Sequence, residues 1–188
     1  VQKLGPHLPY LRRYARAHGL PLAAAALDRQ GLSIVDARIV TSLRGMTLDT
    51  FQVLETDAAF EGVDAHRRAS AVAREVRDSL RAPGPLRLPG RRALPPQLRH
   101  FRVPVQVEFS GKGERTQLIL VCNDRPGPLA QVASVLHSHK VRVHDARIAT
   151  FGERVEDFFE LSDARNAPLS PPQCETLAAA LRESVALG

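Results

Sequence analysis

Tryptophan is absent from this sequence, methionine occurs once, cysteine twice, and aromatic residues make up 5% of the chain. Seven Phe and two Tyr do not furnish the aromatic platform on which RNA-binding sheets stack bases. A basic RNA-binding module is therefore a minor alternative, and no nucleic-acid partner is expected. Cys122 and Cys174 stand far apart, without C-x-x-C spacing. Neither a zinc site nor a disulfide framework is suggested, and the pattern fits free thiols in a reducing cytoplasm. Long apolar runs are missing too. No stretch nears the roughly 18 to 20 consecutive apolar residues of a membrane helix, and Val1 to Tyr10 lacks the charged-then-apolar order of a secretory signal. A soluble, cytoplasmic chain without a membrane partner is expected.

What is present fits two small domains: 188 residues, 44% hydrophobic and 24% charged. The net charge of +6 is localised, with +2 over residues 1–80, +6 over 81–115 and −2 over 116–188. The basic middle holds Ala82-Pro83-Gly84-Pro85, Leu88-Pro89-Gly90-Arg91-Arg92 and Leu94-Pro95-Pro96. Such a run sustains neither helix nor central strand and reads as a linker over residues 82–102. Surplus arginine there is a solvated tether or a contact for an acidic partner.

An internal repeat decides the architecture. Ile34-Val35-Asp36-Ala37-Arg38-Ile39-Val40-Thr41 matches Val143-His144-Asp145-Ala146-Arg147-Ile148-Ala149-Thr150 at an offset of 109 residues. Asp49-Thr50-Phe51 then matches Asp157-Phe158-Phe159. The stripe Ala69, Val72, Ala73, Val76, Leu80 recurs as Cys174, Leu177, Ala178, Leu181, Val185, with the spacing of an amphipathic helix. In the second copy the pattern predicts a strand over Thr116 to Cys122, a helix over Leu129 to His139 and a strand over Val141 to Thr150. A turn at Gly152-Glu153 leads to a strand over Arg154 to Leu161, and a last helix is capped by Ser170-Pro171-Pro172-Gln173.

The order β-α-β-β-α predicts an α+β fold: two ferredoxin-like βαββαβ units, antiparallel sheets with helices on one face, joined by the Pro/Arg-rich linker. Val103 to Phe109, turning at Gly111-Lys112-Gly113, should cover the free edge of the second sheet. Units would span residues 20–81 and 103–188, with 1–19 a remnant of a preceding region. The first unit lacks a readable first strand, since His7 to Tyr14 is not a buried strand; either that unit is incomplete or residues are missing between Tyr14 and Leu20. The two units are expected to pack side by side.

The strongest chemical signal is Cys122-Asn123-Asp124-Arg125-Pro126-Gly127-Pro128-Leu129, between strand and helix. Gly127 lets a backbone approach a ligand, and the following helix start favours a carboxylate. A turn whose Pro and Gly merely set geometry is the plainer reading. Asp36, Arg38, Asp145 and Arg147 alternate onto one face of their strands, as cross-strand ion pairs or as ligand contacts. His144-Asp145 resembles a metal-binding pair but lies on a repeated strand with Val35 in the first copy, so metal binding is not expected. His137 and His139 point apart on a helix. Gly111-Lys112-Gly113 lacks the earlier glycine of a phosphate loop.

Asn123-Asp124-Arg125-Pro126-Gly127-Pro128-Leu129, then a helix, then Val143-His144-Asp145-Ala146-Arg147, resembles the ACT domain, a small regulatory module that binds amino acids. Residues 144–159, Val35 to Ile39, Gly45 to Phe51 and His100-Phe101-Arg102-Val103-Pro104 together are similar to the C-terminal tandem ACT region of the bifunctional PII uridylyltransferase/uridylyl-removing enzyme family, over roughly residues 20–188. Two departures stand out: Pro128 replaces a bulkier apolar residue, and the first copy has no Asp-Arg-Pro-Gly loop.

The resemblance implies a nitrogen sensor in which glutamine switches the enzyme between uridylylating the signalling protein PII and removing the uridylyl group. It implies no catalytic site and no cofactor in these residues, Mg²⁺ serving nucleotidyltransferase and phosphohydrolase domains outside this chain. A free-standing tandem ACT regulator is the alternative, and an ACT–ACT homo-oligomer is a further partner. The expected ligand residues are Asn123, Asp124, Arg125, Pro126, Gly127, Pro128 and Leu129 from one unit, Ser33, Ile34, Val35 and Asp36 from the other, and His144 and Asp145. The ligand carboxylate is expected at the helix start after Gly127, with its amine or amide at Asn123 and Asp124.

Overall fold

The computed structural model describes residues 11–16, 19–42, 44, 46–55, 64–81, 103–123, 127–151 and 154–186. The linker at 82–102 and the turn at Gly152-Glu153 lie outside them. The elements run β1 (Leu11–Arg16), α1 (Leu20–Arg29), β2 (Leu32–Thr41), β3 (Met46–Glu55) and α2 (Ala65–Arg81) in the first half. The second half holds β4 (Gln106–Lys112), β5 (Arg115–Asn123), α3 (Pro128–Ser138), β6 (Arg142–Phe151), β7 (Arg154–Ser162) and α4 (Pro171–Ala186).

All seven strands form one antiparallel sheet in the order β1-β3-β2-β6-β7-β5-β4. This replaces the two separate sheets expected from the repeat. The halves join through β2 and β6, so they do lie side by side. Arg38 pairs with Arg147, its own counterpart in the repeat, flanked by Asp36↔Ala149 and Val40↔Asp145. A local twofold axis therefore passes between the two arginines.

The expectation of a missing first strand is corrected. β1 pairs with β3 from Leu11↔Phe51 to Arg16↔Met46, in the place β5 takes beside β7. Three arginines in six residues hide it from a hydrophobicity pattern, and an edge strand needs only one neighbour for its backbone. β4 covers the outer edge of β5 as expected. It runs on to Lys112, which pairs with Arg115, so the turn is Gly113-Glu114, with Gly113 at φ 65°.

Strand alternation sets the layers. Ala37, Ile39, Phe51, Leu118, Leu120, Ala146, Ile148 and Phe159 face the helices and join one buried cluster spanning both halves. Asp36, Arg38, Val40 and Arg147 are exposed on the other face. α1 packs against α2, α3 and β2. Its Ala23, Ala24, Ala25 and Ala26 are buried, and side chains this small let neighbouring backbones approach closely. α4 opens as read: the Gln173 Oε1 accepts the Ser170 N–H and hydroxyl, both at 2.9 Å.

Both central strands carry a bulge at the same repeat position. Register shifts between Ile34 and Asp36 in β2 and between Val143 and Asp145 in β6, placing Val35 and His144 as the extra residues. Each bulge sharpens the local twist where its strand enters the junction.

A buried polar knot holds the first half. Arg68 of α2 donates from Nε to Glu55 Oε2 at 2.9 Å and from Nη2 to Glu55 Oε1 at 3.2 Å. It also reaches Gln30 Oε1 at 2.9 Å and the Gln30 carbonyl at the C-terminus of α1. One side chain thus ties α2, β3 and α1 together.

Candidate functional site

The loop that leads from β5 to α3 starts at Asn123 and ends at Gly127; Asp124, Arg125 and Pro126 lie outside the described residues. Asn123 has a structural duty, since its Oδ1 accepts the Val103 N–H at 2.8 Å and anchors the approach to β4. Gly127 is the helix N-cap at φ 78°, ψ 17° and brings no capping side chain. That left-handed backbone is accessible to glycine without steric cost. Pro128 opens the helix with no N–H of its own, and the Gln131 N–H closes the first turn on the Gly127 carbonyl at 3.1 Å. Leu129 is buried in the core and anchors this turn. A helix start without a capping side chain leaves first-turn amides and a positive dipole end, chemistry suited to a carboxylate.

Ser33, Ile34 and Val35 begin β2 at the same end of the sheet and are half-buried, Ile34 packing against the core. Asp36 follows the bulge and is exposed on the helix-free face. Register puts β7 and β6 between the two segments: Cys122↔Val155 and Val155↔Thr150, with Asp36↔Ala149 beyond. The segments are three strand spacings apart, about 14 Å. A small amino acid would not span that distance unaided, and Thr150 stands in the middle.

Thr150 was not singled out in the sequence, although its counterpart in the repeat is Thr41. The Thr41 hydroxyl donates to the Val143 carbonyl at 2.7 Å, stitching β2 to β6. The Thr150 hydroxyl is buried and has no hydrogen-bond partner among the described residues.

His144, the bulge residue of β6, bonds through Nε2 to Ser162 Oγ at 2.8 Å. The Ser162 hydroxyl donates to the Asp163 carbonyl, which assigns the imidazole Nε2 as the donor. Burial, then the charges of Arg115 and Arg142, lower the His144 pKa. Asp145 lies 3.6 Å from Arg38 across the junction; the ion-pair reading of this face holds for that pair. Among the described residues no three His, Cys, Asp or Glu side chains converge as a metal site. His139 Nδ1 instead sits 2.9 Å from the Val135 carbonyl at the end of α3.

The repeat-related end of the junction contains a cavity of about 20 Å³ lined by Leu20, Pro21, Ile39, Thr41, Thr47, Ala133, Leu136, His137, Val141 and Val143. The start of α1 here faces the end of α3 and the start of β6. It is the counterpart of the pairing between Asn123–Leu129 and Ser33–Asp36. Shifting those segments by the repeat offset would have pointed to it. The first-half helix starts at N-cap Gly19, φ −95°, an ordinary right-handed conformation that differs from Gly127.

Comparison with known proteins bears out the resemblance. The chain is similar to a C-terminal region of bifunctional uridylyltransferase/uridylyl-removing enzymes. It is 45% identical over 160 residues to that of Xanthomonas campestris pv. campestris, 44% over 163 to that of Xanthomonas oryzae pv. oryzae and 40% over 167 to that of Pseudomonas aeruginosa. These alignments cover 84%, 86% and 87% of this chain and 18% of each relative. The chain thus spans less than a fifth of their length. No family model matches. Among solved structures, aspartate kinase from Synechocystis superposes with a TM-score of 0.47 at 16% identity, covering 90% of this chain and 25% of that one.

Proposed function

We propose that this chain is the effector-sensing region of a bifunctional uridylyltransferase/uridylyl-removing enzyme, built from two ferredoxin-like units of ACT type. The observation that carries the reading is the junction. Two repeats, similar at 40–45% identity to part of that enzyme, share one sheet through β2 and β6, with one helix start at each end of the seam, α1 at one and α3 at the other.

The effector is a free amino acid, and glutamine is the first candidate. Its carboxylate takes the helix-start amides after Gly127, an interaction on the order of 0.3 to 2 kcal/mol before side-chain bonds are added. Its polar groups meet the loop at 123–126. The chain itself performs no chemistry; by binding the effector more tightly in one state than another, it biases an equilibrium in the rest of the enzyme. The enzyme's substrate is the signalling protein PII.

The test compares uridylyl transfer to PII by the full-length enzyme with and without this region. Glutamine should inhibit the intact enzyme and lose its hold on the truncated one. Equal inhibition of both would place the sensor elsewhere.

A further inference from the structure

We infer that the two ends of the seam are not equivalent: the effector occupies only the end where Thr150 lies, one molecule per chain, with the Thr150 hydroxyl as a binding contact. This rests on the effector reading above and adds its stoichiometry and a residue that selects the ligand.

The repeat supplies an internal control. Thr41 and Thr150 hold the same place on β2 and β6, yet only the Thr41 hydroxyl has a protein acceptor, the Val143 carbonyl at 2.7 Å. The Thr150 hydroxyl is buried with no partner among the described residues. A buried hydroxyl without a partner is unfavourable, and buried polar atoms are normally satisfied. The register places Thr150 two strand spacings, about 10 Å, from Cys122 and one from the start of β2, between the two segments that one small ligand would otherwise fail to bridge.

The helix starts differ in the same sense. Three residues connect β1 to α1, but four connect β5 to α3, and only Gly127 adopts the left-handed backbone. At the Thr41 end the space is about 20 Å³, enough for roughly one water, and the threonine is already engaged. That end is a joint.

The chemistry that fits the Thr150 end is a zwitterion. A carboxylate goes to the α3 start, and an ammonium or amide goes to the threonine oxygen, which both accepts and donates.

The test is calorimetric titration of the 188-residue chain with L-glutamine, using wild type, Thr150→Val and Thr41→Val, together with the Tm of each without ligand. The expected result is one site per chain, at least about a tenfold loss of affinity in Thr150→Val with Tm unchanged or raised, and less than about a twofold loss in Thr41→Val with Tm lowered. Two sites per chain, unchanged affinity in Thr150→Val, or a larger loss in Thr41→Val would overturn the inference while leaving the effector reading standing. Absence of binding by the wild type, to glutamine and to the other nineteen amino acids alike, would overturn both.

Discussion

Arg68→Met should destabilise the chain by roughly 3 to 5 kcal/mol, because it strands a buried carboxylate. The Arg68 and Glu55 side chains are 7% and 8% exposed, so water cannot replace the lost guanidinium. The substitution also removes the donors that meet the Gln30 side chain and its carbonyl. For a chain of this length, each kcal/mol corresponds to roughly 2 to 4 °C in Tm, so a fall of about 6 to 20 °C is expected by circular dichroism or calorimetry. The double variant Arg68→Met with Glu55→Met should recover most of that loss, since no charge is left unpaired. A loss below about 1 kcal/mol in the single variant, or a double variant no more stable than the single, would refute the argument that the knot's importance lies in desolvated charge.

Gly127→Val should cost about 1 to 3 kcal/mol through its left-handed backbone and abolish glutamine binding while the far-UV spectrum persists; retained affinity in titration would sink the pocket assignment. Lys140 holds a positive φ of 57° at the end of α3, where the first half has Gly31 at 72°, so Lys140→Gly should stabilise by about 1 kcal/mol in denaturant unfolding. His144 has a lowered pKa in the folded state, so the unfolded chain binds the proton more readily. Stability is then full above the ordinary histidine range near 6.5 and declines as pH falls through it. His144→Gln should flatten the Tm profile between about pH 7.5 and 5.5, and an unchanged slope would assign that dependence to other groups.

The halves and their elements were legible because burial leaves a period in the sequence. The 109-residue offset aligned β2 with β6, and the stripe from Ala69 to Leu80 announced α2. What stayed hidden depends on backbone events that composition does not record. β1 escaped because Leu11-Arg12-Arg13-Tyr14-Ala15-Arg16 belongs to a sheet edge, where partner hydrogen bonds do the specifying. The bulges at Val35 and His144 left no mark beyond a mismatch in the repeat. Asp36 read as a site neighbour of Ser33, yet the bulge and the pleat leave it on the helix-free face. Thr150 was invisible as a special residue because it is the same residue type at the same repeat position as Thr41; only the folded chain separates a hydroxyl with an acceptor from one without.

The β2–β6 pair is also a mechanical coupling. Two halves that shared no strand pair would swing independently, but five paired residues at the centre of a seven-stranded sheet make the sheet a stiff bar with its pivot at Arg38 and Arg147. Neighbouring strands are rotated by roughly 20 to 25°, and in the strand order β1 lies about 12 Å and β4 about 17 Å from the pivot. A ligand that altered the twist at this single pair by about 10° would sweep the outer strands through roughly 2 to 3 Å. A small molecule at the seam can therefore be felt at both far edges at once, with no hinge between them.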